Sequence, residues 1–247
     1  PESSCSKPII YLSLPQKSEK NCLRARTCVR NFLPGYFPIS RRIIYTKMKI
    51  DRTVTIMENV SLKKLRHAME KTLEPKRYEH TLGVAYTAAS LAMVHEADVE
   101  KALIAGMLHD CAKCMPFHKQ IAVCEKHNVS LSEVERTENS PLLHAKAGST
   151  LARTEYGITD DDILNAISYH TTGRPDMSTL EKIIYIADYI EPGRKTLPNL
   201  SRVRKIAYQN LDDTMRQILN DTLEHLKEKG GSIDPMTKET YQFYIQE

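Results

Sequence analysis

Residues 105–113 of this chain read AGMLHDCAK, an apolar run that ends in an adjacent histidine and aspartate. His109 and Asp110 follow a segment whose composition favours a buried helix, where an unpaired charge is costly in free energy. Lys113 comes about one helical turn after the pair. A single His-Asp pair is a weak signal, because such pairs occur by chance in a chain of 247 residues. The pair becomes informative because other histidines and aspartates also lie in mostly apolar, helical segments of the chain.

These other residues fall on separate segments that are mostly helical in pattern. Asp188 lies in residues 183–190, which read IIYIADYI, and a carboxylate among apolar residues needs a partner such as a cation. Metal sites in helical proteins collect side chains from several facing helices. Any one of these residues alone could be a cap or a hydrogen-bonded core residue, but six in this order favour a metal site. The predicted ligands are His80, His109, Asp110, His144, His170 and Asp188.

Composition indicates a protein with one sizeable core. Hydrophobic residues make up 41% of the chain, enough for one domain or a domain with an appendage. No apolar run approaches the roughly 18 residues that span a bilayer, and no secretory signal is recognisable. Six cysteines in a chain of this length fit a reduced, cytoplasmic protein better than a disulfide framework. We therefore expect no membrane partner.

The N-terminal segment differs from the rest of the chain in charge. Residues 1–50 hold ten Lys or Arg and two Glu, a formal charge of +8; the whole chain carries +4, so the remainder carries −4. An acidic body disfavours nucleic-acid binding, because phosphate contacts require a basic face. Residues 1–57 form a basic N-terminal extension to which we assign no function, and we expect it to be disordered or irregular. It could also be sequence translated from upstream of a true start at Met48 or Met57. A basic arm that binds RNA or a membrane is the alternative.

From residue 61 onward the sequence reads as helices separated by turn residues. Apolar positions recur at helical spacing, and Thr159 and Ser178 are candidate N-caps. The pattern predicts an all-α domain over residues 58–230, followed by a C-terminal helix or tail over residues 231–247. The predicted helices cover residues 62–74, 76–94, 99–110, 117–128, 130–137, 141–156, 160–170, 179–190, 201–229 and 235–246.

Four quoted runs together are more specific than any of them alone. They are RYEHTLGV at 77–84, HDCAK at 109–113, HTTG at 170–173 and ADYIEPGR at 187–194. In this order they resemble the bacterial YqeK-type subfamily of HD-domain metal-dependent phosphohydrolases, over about residues 60–230. The resemblance implies an HD-domain helical bundle that splits diadenosine tetraphosphate symmetrically into two ADP molecules.

The resemblance also implies a dinuclear metal centre. According to the resemblance, one metal is held by His80, His109, Asp110 and Asp188. Asp110 bridges to a second metal, which His144 and His170 hold. Iron is the metal that the resemblance favours, with manganese or another divalent ion as the alternative, and nitrogen and oxygen donors suit a first-row metal better than calcium.

A polyphosphate substrate requires fixed positive charge along its path. Lys113 is the first candidate, because it can reach a phosphate beside the metal ligands; with Asp110 it forms the predicted catalytic pair. We expect the remaining substrate contacts from the residues after His170 and after the EPG turn. The predicted substrate-binding residues are Lys113, Thr171, Thr172, Gly173, Arg174 and Arg194.

Two other functions remain open at this point. Another HD-type phosphohydrolase, a nucleotidase or phosphodiesterase, would use the same ligands with different pocket walls. A non-catalytic nucleotide-binding regulatory module would keep the fold without turnover, although the complete ligand set counts against it. The expected partner is a dinucleoside polyphosphate, and the sequence leaves the oligomeric state open, a homodimer included.

Overall fold

The computed structural model describes residues 61–195, 197, 199–230 and 232–246. Over these residues the protein is all-helical and contains no strand, which confirms the predicted fold class. The expectations for residues 1–57 fall outside the described residues. The helices are α1 (Leu62–Thr72), α2 (Pro75–Val94), α3 (Val99–Leu108), α4 (Phe117–Lys126), α5 (Glu133–Arg136), α6 (Leu143–Thr154), α7 (Asp161–Ser168), α8 (Thr179–Ile190), α9 (Leu200–Ile206), α10 (Leu211–Glu228) and α11 (Pro235–Gln246).

Polar caps set the start of the helices that carry the candidate site. Ser178 forms a capping box with Glu181, in which each side chain accepts a hydrogen bond from the other's backbone N–H, and the predicted start of α8 is confirmed. The predicted cap of α7, Thr159, is wrong by one residue. Asp160 is the N-cap, and its carboxylate accepts from the N–H groups two and three residues later.

The long helix predicted over residues 201–229 is interrupted. The chain leaves the helix after Ile206 and resumes at Leu211. Asn210 has an extended backbone, and its side-chain oxygen accepts from the N–H groups of Asp212 and Asp213. An N-cap therefore starts a new helix here. The apolar positions keep their helical spacing across the break, so the hydrophobic pattern alone does not indicate it.

Close packing of α2 against α3 buries the end of α3. A Cβ atom added to Gly106 would lie 2.7 Å from the Cα of Ala85, so only glycine allows this approach. Overpacking of a well-packed core typically costs about 1–3 kcal/mol. The His-Asp pair follows directly after this buried segment, and His109 and Asp110 are themselves buried.

The C-terminal helix packs against the same helical body. α11 contacts α10, and the buried Tyr244 accepts a hydrogen bond from the backbone N–H of Met177 at 3.2 Å. The C-terminal segment thus contains the predicted helix. No helix in the described ranges combines the length and apolarity needed to cross a membrane.

Candidate metal centre

The six predicted ligands converge from five separate parts of the fold. His80 lies in α2, His109 and Asp110 follow α3, and His144 lies near the start of α6. His170 follows α7, and Asp188 lies in α8. Four of the six are buried, His80 is half-buried, and the Asp188 side chain is 23% exposed, so the cluster has one accessible side.

Asp110 lies at the centre of the cluster, and its two carboxylate oxygens face different histidines. Oδ2 lies 3.4 Å from Nε2 of His109 and 3.7 Å from Nε2 of His80. Oδ1 lies 3.0 Å from Nε2 of His144 and 3.8 Å from Nε2 of His170. A carboxylate with this arrangement can contribute one oxygen to each of two neighbouring ion sites.

The remaining contacts bring the other donor atoms together around Asp110. Asp188 Oδ1 lies 2.9 Å from Nε2 of His80 and 4.0 Å from Nε2 of His109. On the other side of Asp110, the Nε2 atoms of His144 and His170 are 3.2 Å apart. One ligand atom from each of His80, His109 and Asp188 lies within 4.8 Å of the others, and the same holds for His109, Asp110 and His170.

Backbone and side-chain acceptors orient three of the four imidazoles. Nδ1 of His109 donates to the carbonyl of Gly106, and Nδ1 of His170 donates to the carbonyl of Ile167, both at 2.7 Å. Nδ1 of His80 lies 3.1 Å from Oε1 of Glu191. Each ring therefore presents Nε2 toward the cluster, as metal-binding histidines do when a second group holds Nδ1.

The residues present fit a metal ion. His109 is fully buried, and its Nε2, although 3.4 Å from Asp110 Oδ2, forms no hydrogen bond of good geometry with any described residue. A buried polar atom without a partner costs about 1–3 kcal/mol, and a bound cation would remove that cost. Mixed imidazole and carboxylate donors suit a divalent first-row metal.

The protonation of the cluster also favours a cation. Burial lowers the pKa of His170 to about 3 and also lowers the pKa of His144, so both rings are neutral at pH 7, as metal ligands must be. Burial opposes a charge on His109 as well, but Asp110 and Asp188 outweigh it and raise the pKa of that ring. The carboxylates therefore attract positive charge into this half of the cluster.

Two residues of the site escaped the sequence reasoning. Arg77 Nη1 lies 2.9 Å from Asp110 Oδ2, and Glu191 accepts from His80 as described above. Arg77 stands three residues before His80 on the same helix, and side chains at this spacing are neighbours. The spacing could therefore have indicated that Arg77 lies beside the predicted ligands. Glu191 lies in the quoted EPGR run, but only the fold brings it to α2.

Glu191 positions His80. Its side chain is buried, and it also accepts a hydrogen bond from the backbone N–H of Gly193. A Cβ atom on Gly83 would lie 2.7 Å from Glu191 Oε2, so the glycine in α2 leaves the space that this carboxylate occupies. The carboxylate–histidine contact fixes both the ring orientation and the nitrogen that faces the cluster.

We expect Glu191→Ala to lower metal affinity by about 10- to 100-fold, the usual cost of losing the group that orients a ligating histidine. Competition against a chromophoric chelator on stripped protein, with Mn²⁺ as the probe, measures this. Glu224→Ala is the control, because Glu224 is exposed on α10. Unchanged Mn²⁺ affinity in Glu191→Ala would show that His80 does not depend on this contact.

Only some predicted substrate-binding residues reach the cluster. Lys113 Nζ lies 3.2 Å from His144 Nδ1, and Arg194 Nη2 lies 2.7 Å from Asp188 Oδ1. Arg174 is instead paired with the buried Glu181, through Nε at 2.7 Å and Nη2 at 2.8 Å. These two contacts hold the Arg174 guanidinium at the start of α8. The geometry therefore does not support the predicted contact between Arg174 and phosphate.

The three residues before Arg174 form a packed turn. Thr172 is buried and its hydroxyl donates to the carbonyl of Gly173 at 2.9 Å. Gly173 has φ +66° and lies against Thr240 of α11. Thr171 is half-buried. Among the residues that the structure describes, these three form no hydrogen bond to the cluster, and their substrate contacts stay predictions.

An all-helical fold that gathers His80, the His109-Asp110 pair and Asp188 around one centre defines an HD-domain protein. The HD domain family matches residues 77–193, a range that contains all six predicted ligands. Most of the helical body described above, from α2 to the turn after α8, lies in that range.

Individual relatives place the chain more narrowly. A Bacillus subtilis (strain 168) protein named symmetrical bis(5'-nucleosyl)-tetraphosphatase is 42% identical over 179 residues, which cover 72% of this chain and 94% of that protein. A Staphylococcus aureus protein of the same name is 35% identical, covering 75% of this chain and 95% of that protein. The chain belongs to the HD-domain family, in the group that includes these symmetrical bis(5'-nucleosyl)-tetraphosphatases.

A solved structure agrees with the fold. The crystal structure of a protein from Clostridium acetobutylicum, described as a predicted HD superfamily hydrolase involved in NAD metabolism, matches with a TM-score of 0.72 and 44% sequence identity. The match covers 75% of this chain and 97% of that one.

Proposed function

We propose that this protein is a metal-dependent hydrolase that splits diadenosine tetraphosphate symmetrically into two ADP molecules. The observation that carries the proposal is the central Asp110, whose two oxygens face two different pairs of imidazoles. The names of the relatives that match most of the chain supply the substrate. The geometry supports a site for two ions.

The ligands divide between the two ions as the resemblance implies. His80, His109 and Asp188 would hold one ion, His144 and His170 would hold the other, and Asp110 would contribute to both. Iron is the proposed metal, with manganese or another divalent ion as the alternative. When bound, two such ions would polarise phosphoryl oxygens and lower the pKa of a water molecule.

The cationic side chains of the site bind and orient the polyphosphate. Arg77 and Arg194 lie beside the two aspartates, and about a third of each arginine side chain is exposed. Lys113 is half-buried beside His144, at the opposite group of ligands. Positive charge therefore lies on both sides of Asp110, where it can compensate the charge that develops on phosphate oxygens. We assign catalytic roles to Asp110 and Lys113, and substrate-binding roles to Lys113 and Arg194.

Hydrolysis of diadenosine tetraphosphate by the metal-loaded protein is expected to give ADP as the only nucleotide product. Water adds to an inner phosphorus, the central bridging P–O bond breaks, and each half leaves as ADP. Anion-exchange chromatography of early time points measures the products. ATP and AMP in equal amounts would mean cleavage of a different bond and would contradict the proposal.

A substrate screen separates the rival functions. Release of phosphate from nucleoside monophosphates, with diadenosine tetraphosphate untouched, would indicate a nucleotidase. Binding of diadenosine tetraphosphate without turnover in fully metal-loaded protein would indicate a regulatory module.

A further inference from the structure

A groove of about 750 Å³ opens beside the metal-ligand cluster. It lies between one side of α2 and the turn formed by residues 191–194. Its volume falls within the range of about 300–1,000 Å³ that is usual for ligand pockets.

The inner end of the groove is charged and adjoins the ligands. His80 lines it, and so do Arg77 and Arg194, together with the carboxylate of Glu191. The two guanidinium groups contact Asp110 and Asp188, as described above, and both arginines keep part of their surface exposed. A phosphate at the metal centre would therefore have two arginines on the groove side.

An aromatic side chain lines the groove further along α2. Tyr86 lines the groove, and it is 55% exposed. It stands six residues after His80 on α2, which places it about 9 Å further along the helix axis. Between them Gly83 also lines the groove, and the Glu191 carboxylate occupies the space that its missing side chain leaves. Leu82 adds an apolar surface.

An anion site that leads to an exposed aromatic ring fits a nucleotide, because bases stack on aromatic side chains. We propose that this groove binds one nucleoside half of the dinucleoside polyphosphate, with the base stacked on Tyr86. The phosphates of that half run toward Arg77 and Arg194. The identity of the ligand rests on the proposed function, but its binding can be measured without turnover.

The absence of tryptophan from the chain allows a direct binding test. Tyr86→Trp introduces a single tryptophan fluorophore in the groove. ADP titrated into the metal-loaded full-length variant is expected to change the emission saturably. Inorganic pyrophosphate, which lacks the base, is expected to leave the emission unchanged at concentrations that compete with ADP.

Met93→Trp is the matched control. Met93 lies on the same helix, is 66% exposed, and does not line the groove. ADP is expected to leave its emission unchanged. An equal response of the two variants, or no response of Tyr86→Trp to saturating ADP, would overturn the proposal.

Kinetics give a second, independent measurement. Tyr86→Ala is expected to raise the KM for diadenosine tetraphosphate by roughly 10- to 100-fold, the loss of one base–aromatic stack. Its kcat should change little, and Tyr86→Phe should restore the KM. A wild-type KM in Tyr86→Ala would count against the groove even if the protein hydrolyses this substrate. Conversely, a saturable ADP response without any hydrolysis would contradict the proposed function and leave the groove as a nucleotide site.

Discussion

Asp110→Asn is expected to abolish hydrolysis and to empty both parts of the metal site. Asparagine replaces one carboxylate oxygen with an amide nitrogen and removes the negative charge. Because Oδ1 faces His144 and His170 while Oδ2 faces His80 and His109, neither group of ligands keeps its shared anionic donor. Metal assistance is worth several kcal/mol to phosphoryl transfer, so we expect a loss of at least roughly a thousandfold in kcat/KM. Elemental analysis and kinetics on the same preparation measure both effects.

His170→Ala separates the shared ligand from an unshared one. Nε2 of His170 lies near Oδ1 of Asp110 and Nε2 of His144, and its ring also packs edge-on against the ring of His109. Its loss is therefore expected to remove about one of two ions, whereas Asp110→Asn removes both. A circular dichroism melt shows whether each variant is folded. Full metal content in folded Asp110→Asn would show that this carboxylate is not the bridge.

The sequence predicted helices best where local chemistry determines them. Ser178 was predicted as an N-cap and α8 begins directly after it, with Glu181 three residues later completing a capping box. The break before α10 depends on Asn210, a residue that fits either a cap or a helical position, so the continuing apolar period misled the reasoning. Local signals identify a helix more readily than they identify its interruption.

The candidate site shows the same division between local and tertiary information. The order of histidines and aspartates identified six residues that the fold does bring together, each on a helix or shortly after one. Arg174 directly follows the HTTG run, where the sequence predicts a phosphate contact, but its guanidinium pairs with the buried Glu181. Sequence spacing does not reveal which way a long side chain turns. It likewise did not reveal that Glu191 reaches across to His80 from 111 positions away.

Lys113→Ala is expected to lower kcat by about a hundredfold or more, the usual cost of removing one group that stabilises developing charge on oxygen. Lys113 Nζ lies beside the ring of His144, and burial lowers the pKa of this lysine against the opposing effect of Asp110. A half-buried ammonium group with few protein partners can approach a phosphate without first leaving a strong ion pair. Burst and steady-state kinetics with diadenosine tetraphosphate measure the effect.

The metal content of Lys113→Ala distinguishes charge stabilisation from a disturbed ligand. Lysine carries a positive charge and is not among the predicted metal ligands, so the variant should hold as much metal as the wild type while kcat falls. Lys113→Met keeps much of the side-chain length and packing without the charge, and it should be as slow as Lys113→Ala. If Lys113→Met instead retained wild-type kcat, the ammonium group would have no part in turnover, and its place beside His144 would be a packing contact alone.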